Sequence, residues 1–278
     1  MDIVTIQSRV TWGYVGNAVA VPVLQALGIS AWPVDTVRLS FHPGHGVPWR
    51  RLAEPDEVQE LLTDSIEKAE PGVGFLMGYL GNPEQGQTLV NMVTRERDAG
   101  RASPFYLDPA FGDDPGGTYV DPTIIEFYSQ EAIQHADVVM PNRYELAMLS
   151  GQDITSVDDA IQAALMLIST GCKSVMASSI PTSDNTLANV YVDAGQAFCS
   201  ESKRIPLKSK GTGDLLSAAF CGFHSTGHAP NQSLARASAI VRRACIHASE
   251  NKLSELNMIS LLRDIHTGIA PLPVEPRT

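Results

Sequence analysis

The sequence is short of charge, of paired thiols, of long apolar runs and of basic excess, and each shortage removes a class of protein. Charged residues make up 18% of the 278 and hydrophobic ones 44%, against roughly 25% charge in an ordinary soluble domain. That balance excludes a disordered chain and a coiled coil. The four cysteines, Cys172, Cys199, Cys221 and Cys245, stand far apart in apolar settings with no CxxC, so buried reduced thiols are expected rather than a disulfide framework or a zinc ribbon. No stretch reaches the ~18 uninterrupted apolar residues of a membrane span. Met1-Asp2-Ile3-Val4 carries an acid where a signal peptide would carry bases, and the expected location is cytoplasmic. Twenty Lys and Arg against 31 Asp and Glu leave a net charge of −11, which argues against nucleic acid or an anionic membrane as partner. The pair Arg242-Arg243 reads as a solvated helix face or an oligomer contact on such a chain. Any anion bound here must be held locally.

What is present is an alternation of short aliphatic runs with helical patterns, the mark of an α/β protein with a mostly parallel sheet. Strands are expected at Ile3 to Gln7, Val34 to Leu39, Val73 to Met77, Phe105 to Leu107, Val138 to Met140 and Val175 to Ala177. The clearest helix has Thr155 and Ser156 as its cap, Asp158 and Asp159 in its first turn, and Ile161, Ala164, Leu165 and Ile168 on one face. Gly171 stops it. Leu187 to Val192 and Ala197 to Ser200 flank Asp193-Ala194-Gly195 and predict a hairpin. Helices are expected from Gly213 and from about Ser233. Length alone allows about two domains, but no long linker or repeat interrupts the pattern. One domain over residues 1–270 is expected, followed by an irregular proline-rich tail over 271–278.

In open parallel sheets ligands bind beyond the carboxyl ends of the strands. Polar residues stand there: Gln7-Ser8, Ser40-Phe41-His42, Gly78-Tyr79, Asp108-Pro109, Asn142 and Ser178-Ser179. The sharpest local pattern is Lys210-Gly211-Thr212-Gly213-Asp214 ahead of an amphipathic helix. Two glycines allow close backbone approach, and the first helical amides make an anion hole. Asp214 beside it is placed to take a hydroxyl proton during attack on a phosphoryl group. No Walker A sequence is present, so a P-loop mechanism is out. His224, His228, His247 and His266 lack metal-ligand spacing.

Five motifs in order carry a family resemblance: Thr5-Ile6-Gln7-Ser8 with Gly13-Tyr14-Val15-Gly16-Asn17; Gly78-Tyr79-Leu80; Asp108-Pro109-Ala110-Phe111-Gly112-Asp113; Pro141-Asn142-Arg143-Tyr144-Glu145; and Gly211-Thr212-Gly213-Asp214. From about residue 3 to residue 250 the chain resembles the pyridoxal kinases of the ribokinase superfamily. The resemblance implies a ribokinase-like three-layer αβα sandwich, with a mostly parallel central sheet and an antiparallel edge hairpin. It implies ATP-dependent phosphorylation of the 5′-hydroxymethyl group of pyridoxal or a related B6 vitamer, in a homodimer. Asp214 would be the general base, and the Gly211, Thr212 and Gly213 amides would receive the developing charge. Asp108, Asn142, Ser178 and Thr212 would face the nucleotide. Asp108, Asp113 and Glu145 would hold Mg2+, partly through water. Ser8, His42, Pro43 and Tyr79 would line the vitamin pocket. The resemblance also leaves room for K+ near the anion hole.

One segment departs from the pattern. Such kinases commonly read Ser-Asn-His-Thr after the second strand, whereas this chain reads Ser40-Phe41-His42-Pro43-Gly44-His45. Pro43 removes a hydroxyl and a backbone donor, and His45 stands where tyrosine is common. Phosphoryl transfer is untouched by these changes, but the acceptor's identity is left open between a B6 vitamer, hydroxymethylpyrimidine and another small alcohol. A non-catalytic carrier of vitamer or nucleotide is the alternative from another class. The complete Gly-Thr-Gly-Asp element speaks against it, since a carrier needs no base beside its anion hole.

Overall fold

A strand buried on both faces must send apolar side chains in both directions, and the central strands do. In the computed structural model, which describes residues 1–69, 72–101, 103–183 and 185–277, Val4, Ile6, Phe75, Met77, Phe105 and Leu107 enter one apolar cluster. Their neighbours Ile3, Leu76 and Tyr106 enter a second cluster on the other face. Helices cover both clusters, which makes three layers.

The chain runs β1 (Ile3–Trp12), α1 (Asn17–Ala26), β2 (Ala31–Phe41), a 3-10 turn (Pro43–His45), β3 (Arg50–Leu52), α2 (Pro55–Lys68), β4 (Gly74–Met77), α3 (Pro83–Asp98) and β5 (Phe105–Leu107). A small hairpin, β6 (Gly112–Asp113) and β7 (Gly117–Thr118), precedes α4 (Pro122–Phe127), a π-helical turn and α5 (Ile133–His135). Then come β8 (Val138–Val139), α6 (Arg143–Ser150), α7 (Val157–Ser169), β9 (Ser174–Ser183), β10 (Thr186–Asp193) and β11 (Ala197–Lys203). The chain ends with α8 (Thr212–Ser225), α9 (Pro230–Glu250), α10 (Met258–Thr267) and β12 (Glu275–Arg277). The ten-stranded sheet has the order β12-β11-β10-β9-β8-β5-β4-β1-β2-β3. Its centre is parallel, while β2–β3 and the β9–β10–β11–β12 run are antiparallel. α2, α3, α4, α6 and α7 pack on one face, and α1, α8, α9 and α10 on the other.

The expected strands, the β10–β11 hairpin and the Ser156 cap of α7 are all present. Four boundaries differ. β1 does not end at Ser8: its register with β2 shifts between Gln7 and Arg9, and the strand continues to Trp12. Val10 beyond the bulge packs with Val15, Val37 and Leu39 in a small cluster of its own. Polar Arg9 and Thr11 hid this extension from a search for apolar runs. β9 likewise passes Ser178-Ser179 on a register shift, with Ser179 at φ 61, and reaches Ser183. α9 starts at Pro230, whose fixed φ suits a first helical turn. The tail is also more ordered than expected, for β12 pairs antiparallel with β11, Phe198 opposite Pro276. Pro276 lacks an N–H, which an edge strand tolerates; Thr278 lies outside the described residues.

Candidate active site

The bulge in β1 is where the site begins. Ser8, pushed out of the ladder and 6% exposed, packs against Gly16, where a Cβ would come within 2.1 Å of the Ser8 carbonyl oxygen. Gly16 stands at φ 54, so both space and conformation demand glycine there. The Gly13–Gly16 turn also meets the start of α8. Gly211 is the N-cap of that helix, at φ 87 with no side-chain cap, and a Cβ on it would lie 2.1 Å from the Tyr14 carbonyl oxygen. Among the described residues no side chain accepts from the Thr212 or Gly213 amide, and nothing lies within 4 Å of a Cβ built on Gly213. Free amides, an open approach and the positive end of the helix dipole suit an anion.

Asp214 sits in the first turn of α8. Burial pushes its carboxyl pKa up, while the Gly16 and Asp214 backbone amides pull it back. A carboxylate held above its ordinary range is a stronger base. Asp108 follows β5 at 7% exposure, and its Oδ2 accepts a 2.6 Å hydrogen bond from Ser217 on α8. Burial, and then the charge of Asp214, push Asp108 up to about 7. Glu145 is 2% exposed, and burial followed by Asp108 raises its pKa well above the usual carboxylate range. Its Oε1 accepts the Phe111 and Gly112 amides at 3.0 and 3.3 Å, and its Oε2 accepts Asn142 N–H at 2.9 Å. Asn142 caps α6, donates to the Gly112 carbonyl at 2.7 Å, and forms a parallel bridge with Ser178. The structure thus gathers Ser8, Asp108, Asn142, Glu145, Ser178 and the 211–214 turn at one end of the sheet.

Asp113 is held differently. Its Oδ2 lies 2.9 Å from Lys210 Nζ, an ion pair that joins the β6–β7 hairpin to the loop before α8. Among the described residues no three His, Cys, Asp or Glu side chains converge as a metal-binding group. The donor set nevertheless fits magnesium, which takes one or two carboxylates and keeps its waters. Asp108 has an oxygen not engaged by Ser217.

That crowding has a measurable consequence. A carboxyl with a folded pKa above its ordinary 3.8 stabilises the fold fully below that value, and the benefit is lost as pH rises through about 7. Asp108→Asn removes the charge while keeping an acceptor for Ser217. We expect the Tm of Asp108→Asn to exceed that of the ligand-free wild type by a margin that grows between about pH 4 and pH 7 and then levels off, by roughly 2–4 °C per kcal/mol regained. Melting curves with a constant difference across this range would contradict the burial argument.

A second wall of the site follows β2 and β4. His42 caps the 3-10 turn, its Nδ1 accepting Gly44 N–H at 3.0 Å, so its own proton resides on Nε2. Burial and the nearby Lys210 lower its pKa, which keeps the ring neutral. Pro43 opens this turn at the first helical position, where a missing N–H costs the turn nothing. Tyr79 stacks on Tyr119, ring centroids 6.3 Å apart and planes 25° apart.

Four contributors escaped sequence reasoning. Ser217 sits one helical turn beyond Asp214, where its Oγ reaches Asp108. Lys210 stood in the quoted motif without a role, though a cation next to an anion hole was a usable signal. Tyr119 follows the Gly116-Gly117 turn, and Glu255 lies far beyond the last motif, with nothing local to mark either.

A ribokinase-like sheet that carries an anion hole and a neighbouring carboxylate at its carboxyl end defines a class, phosphotransferases that act on an alcohol group. Comparison with known proteins agrees. The family model for phosphomethylpyrimidine kinase matches residues 59–257. Pyridoxal kinase PdxY of Leifsonia xyli subsp. xyli is 33% identical over 236 residues, 82% of this chain and 83% of that protein. PdxY of Deinococcus radiodurans is 35% identical over 243 residues, 82% of this chain and 80% of that one. The structure of Leishmania donovani pyridoxal kinase in complex with ADP and pyridoxamine superposes with a TM-score of 0.91 at 25% identity, covering 100% of this chain and 99% of that chain. The chain belongs to the pyridoxal kinase family of the ribokinase superfamily.

Proposed function

We propose that this protein transfers the γ-phosphoryl group of ATP to the 5′-hydroxymethyl group of pyridoxal or a related B6 vitamer. The observation that carries this reading is Asp214 beside the unpartnered amides of α8, in a chain that resembles pyridoxal kinases along four fifths of its length. Asp214 accepts the alcohol proton as that oxygen forms its bond to the γ-phosphorus, and the bond to the bridging oxygen breaks to release ADP. The Gly211, Thr212 and Gly213 amides receive the charge on the transferring group. Asp108, Asn142, Ser178 and Thr212 face the nucleotide, and Lys210, already paired with Asp113, adds a cation there. Bound Mg2+ would neutralise the triphosphate, held by Asp108, Asp113 and Glu145, partly through water. The same reading includes K+ beside the anion hole.

Ser8, His42, Pro43 and Tyr79 form the acceptor wall. The proton on His42 Nε2 serves as a donor to the pyridine substituents, and the Tyr79 ring gives flat contact. We read residues 1–270 as one kinase domain with a short tail, located in the cytoplasm. No helix of the described residues is long and apolar enough to cross a membrane. A homodimer is supported by Trp12, Val47 and Trp49, which are 53%, 97% and 62% exposed around β1 and the β2–β3 connection.

The test is incubation with ATP, magnesium and a panel of pyridoxal, pyridoxine, pyridoxamine and hydroxymethylpyrimidine. We expect product from at least one B6 vitamer. Turnover of hydroxymethylpyrimidine alone would establish the second reading, favoured by the family model's name and the altered Phe41 to His45 loop. Pro43→Thr restores a hydroxyl at the start of the 3-10 turn. One such hydrogen bond is worth about 0.5–1.5 kcal/mol, so KM for pyridoxal should fall a few-fold; an unchanged KM would mean that the pocket compensates elsewhere.

A further inference from the structure

Glu255 belongs to no motif, yet it touches both walls of the site. It lies between α9 and α10 with a side chain 13% exposed. Its Oε2 accepts the Tyr14 N–H at 2.8 Å, and its Oε1 lies 2.5 Å from His45 Nε2. A Cβ on Gly13 would fall 2.7 Å from Oε2, so the chain keeps glycine where the carboxylate enters. Next to it Leu256 is buried, with Cδ1 3.5 Å from a Cβ built on Gly211. His45 in turn meets Trp12 edge to face at 5.1 Å.

These contacts form a connected path. From Glu255 it runs through Tyr14 to Gly211, whose cap position abuts the Tyr14 carbonyl. In the other direction it runs through His45 to the 3-10 turn that begins after His42. The two branches end on the anion hole and on the acceptor loop. One carboxylate binds a backbone amide of the first wall and a side chain of the second.

We propose that Glu255 is a positioning residue that sets the acceptor loop at a fixed distance from the anion hole, acting through His45 on one side and Tyr14 on the other. The inference rests on the phosphoryl-transfer reading of the site. Small misplacements of reacting groups cost large factors in rate, so a clasp that fixes their spacing has a kinetic readout separate from stability.

The experiment compares wild type, Glu255→Ala, Glu255→Gln and His45→Ala in steady-state kinetics with ATP and the best vitamer, with Tm and amide hydrogen exchange measured in parallel. Glu255→Ala should lower kcat/KM for the alcohol by about 10- to 100-fold, with KM for ATP nearly unchanged. Glu255→Gln keeps an oxygen for Tyr14 N–H and loses the charge beside His45, so it should raise acceptor KM as His45→Ala does and spare kcat. Exchange should quicken in peptides covering residues 13–17 and 42–46 and stay constant around residues 138–142. A Tm loss with unchanged acceptor kinetics, or unchanged exchange in both peptides, would overturn the proposal. If Glu255→Ala does not fold, Glu255→Gln and His45→Ala decide the matter. A wild type that makes no product overturns the kinase reading instead, and the exchange comparison then decides whether the clasp exists.

Discussion

Asp214→Asn is expected to lower turnover by about 10² to 10⁴ while nucleotide binding stays close to wild type. The substitution is nearly isosteric and keeps an acceptor oxygen near the Gly16 amide, so the start of α8 keeps its shape. What it removes is the capacity to take a proton. Burial already raises the Asp214 pKa, which suits a base, and the amide has no such function. Removing this half-buried carboxylate also lifts part of the repulsion on Asp108, so Tm should hold or rise. Activity loss with retained stability and nucleotide affinity is the combination that identifies a base. A variant as fast as wild type would sink the assignment, and a variant that no longer binds nucleotide would give Asp214 a structural role instead.

Gly211→Ala should be comparably severe for a different reason. A Cβ there would lie 2.1 Å from the Tyr14 carbonyl oxygen, and the residue sits at φ 87. Backbone oxygen cannot swing aside as a side chain can, so the turn and the helix cap must separate. The left-handed conformation adds about 1–2 kcal/mol for any residue with a Cβ. Separating the turn from the cap withdraws the amides from the γ-phosphoryl position, and loss of one such donor typically costs about 10² to 10³ in kcat. The measurement is kcat beside Tm, with Gly213→Ala as the control. Gly213 has open space at its Cβ position, so that variant should keep its fold and lose little stability. Equal Tm losses for the two would mean that the contact with Tyr14 does not set the cap.

The layers, the hairpin and the α8 turn were legible because each rests on local rules. Apolar runs of strand length, the Asp193-Ala194-Gly195 turn and a Gly-rich segment ahead of periodic Leu215, Leu216 and Phe220 need no partner to be recognised. The bulge at Ser8 was illegible, since Arg9 and Thr11 look like loop residues until Val10 finds its small cluster. β12 was hidden by the prolines of the tail and exists because β11 offers it an edge. In the site, the residues at strand ends could be named, but their pairings could not. Lys210 and Asp113 are 97 positions apart, Ser217 and Asp108 are 109, and His45 and Glu255 are 210. Pairings at such separations follow from topology, which local patterns do not encode.

The contact between Tyr14 and Glu255 spans 241 positions, and that separation has a meaning in time. A ribosome adding about 5 to 20 residues per second exposes Tyr14 roughly 12 to 48 s before Glu255 is even made. During that interval β1, β2 and β4 can pair and bury their apolar faces, and α8 with its Gly211 cap is made before the carboxylate that reaches Tyr14. The contact that ties the Gly13–Gly16 turn to the segment before α10 therefore arrives late in synthesis. A chain cut short between β11 and α8 would keep most of its strands and lack both the helix cap and Glu255.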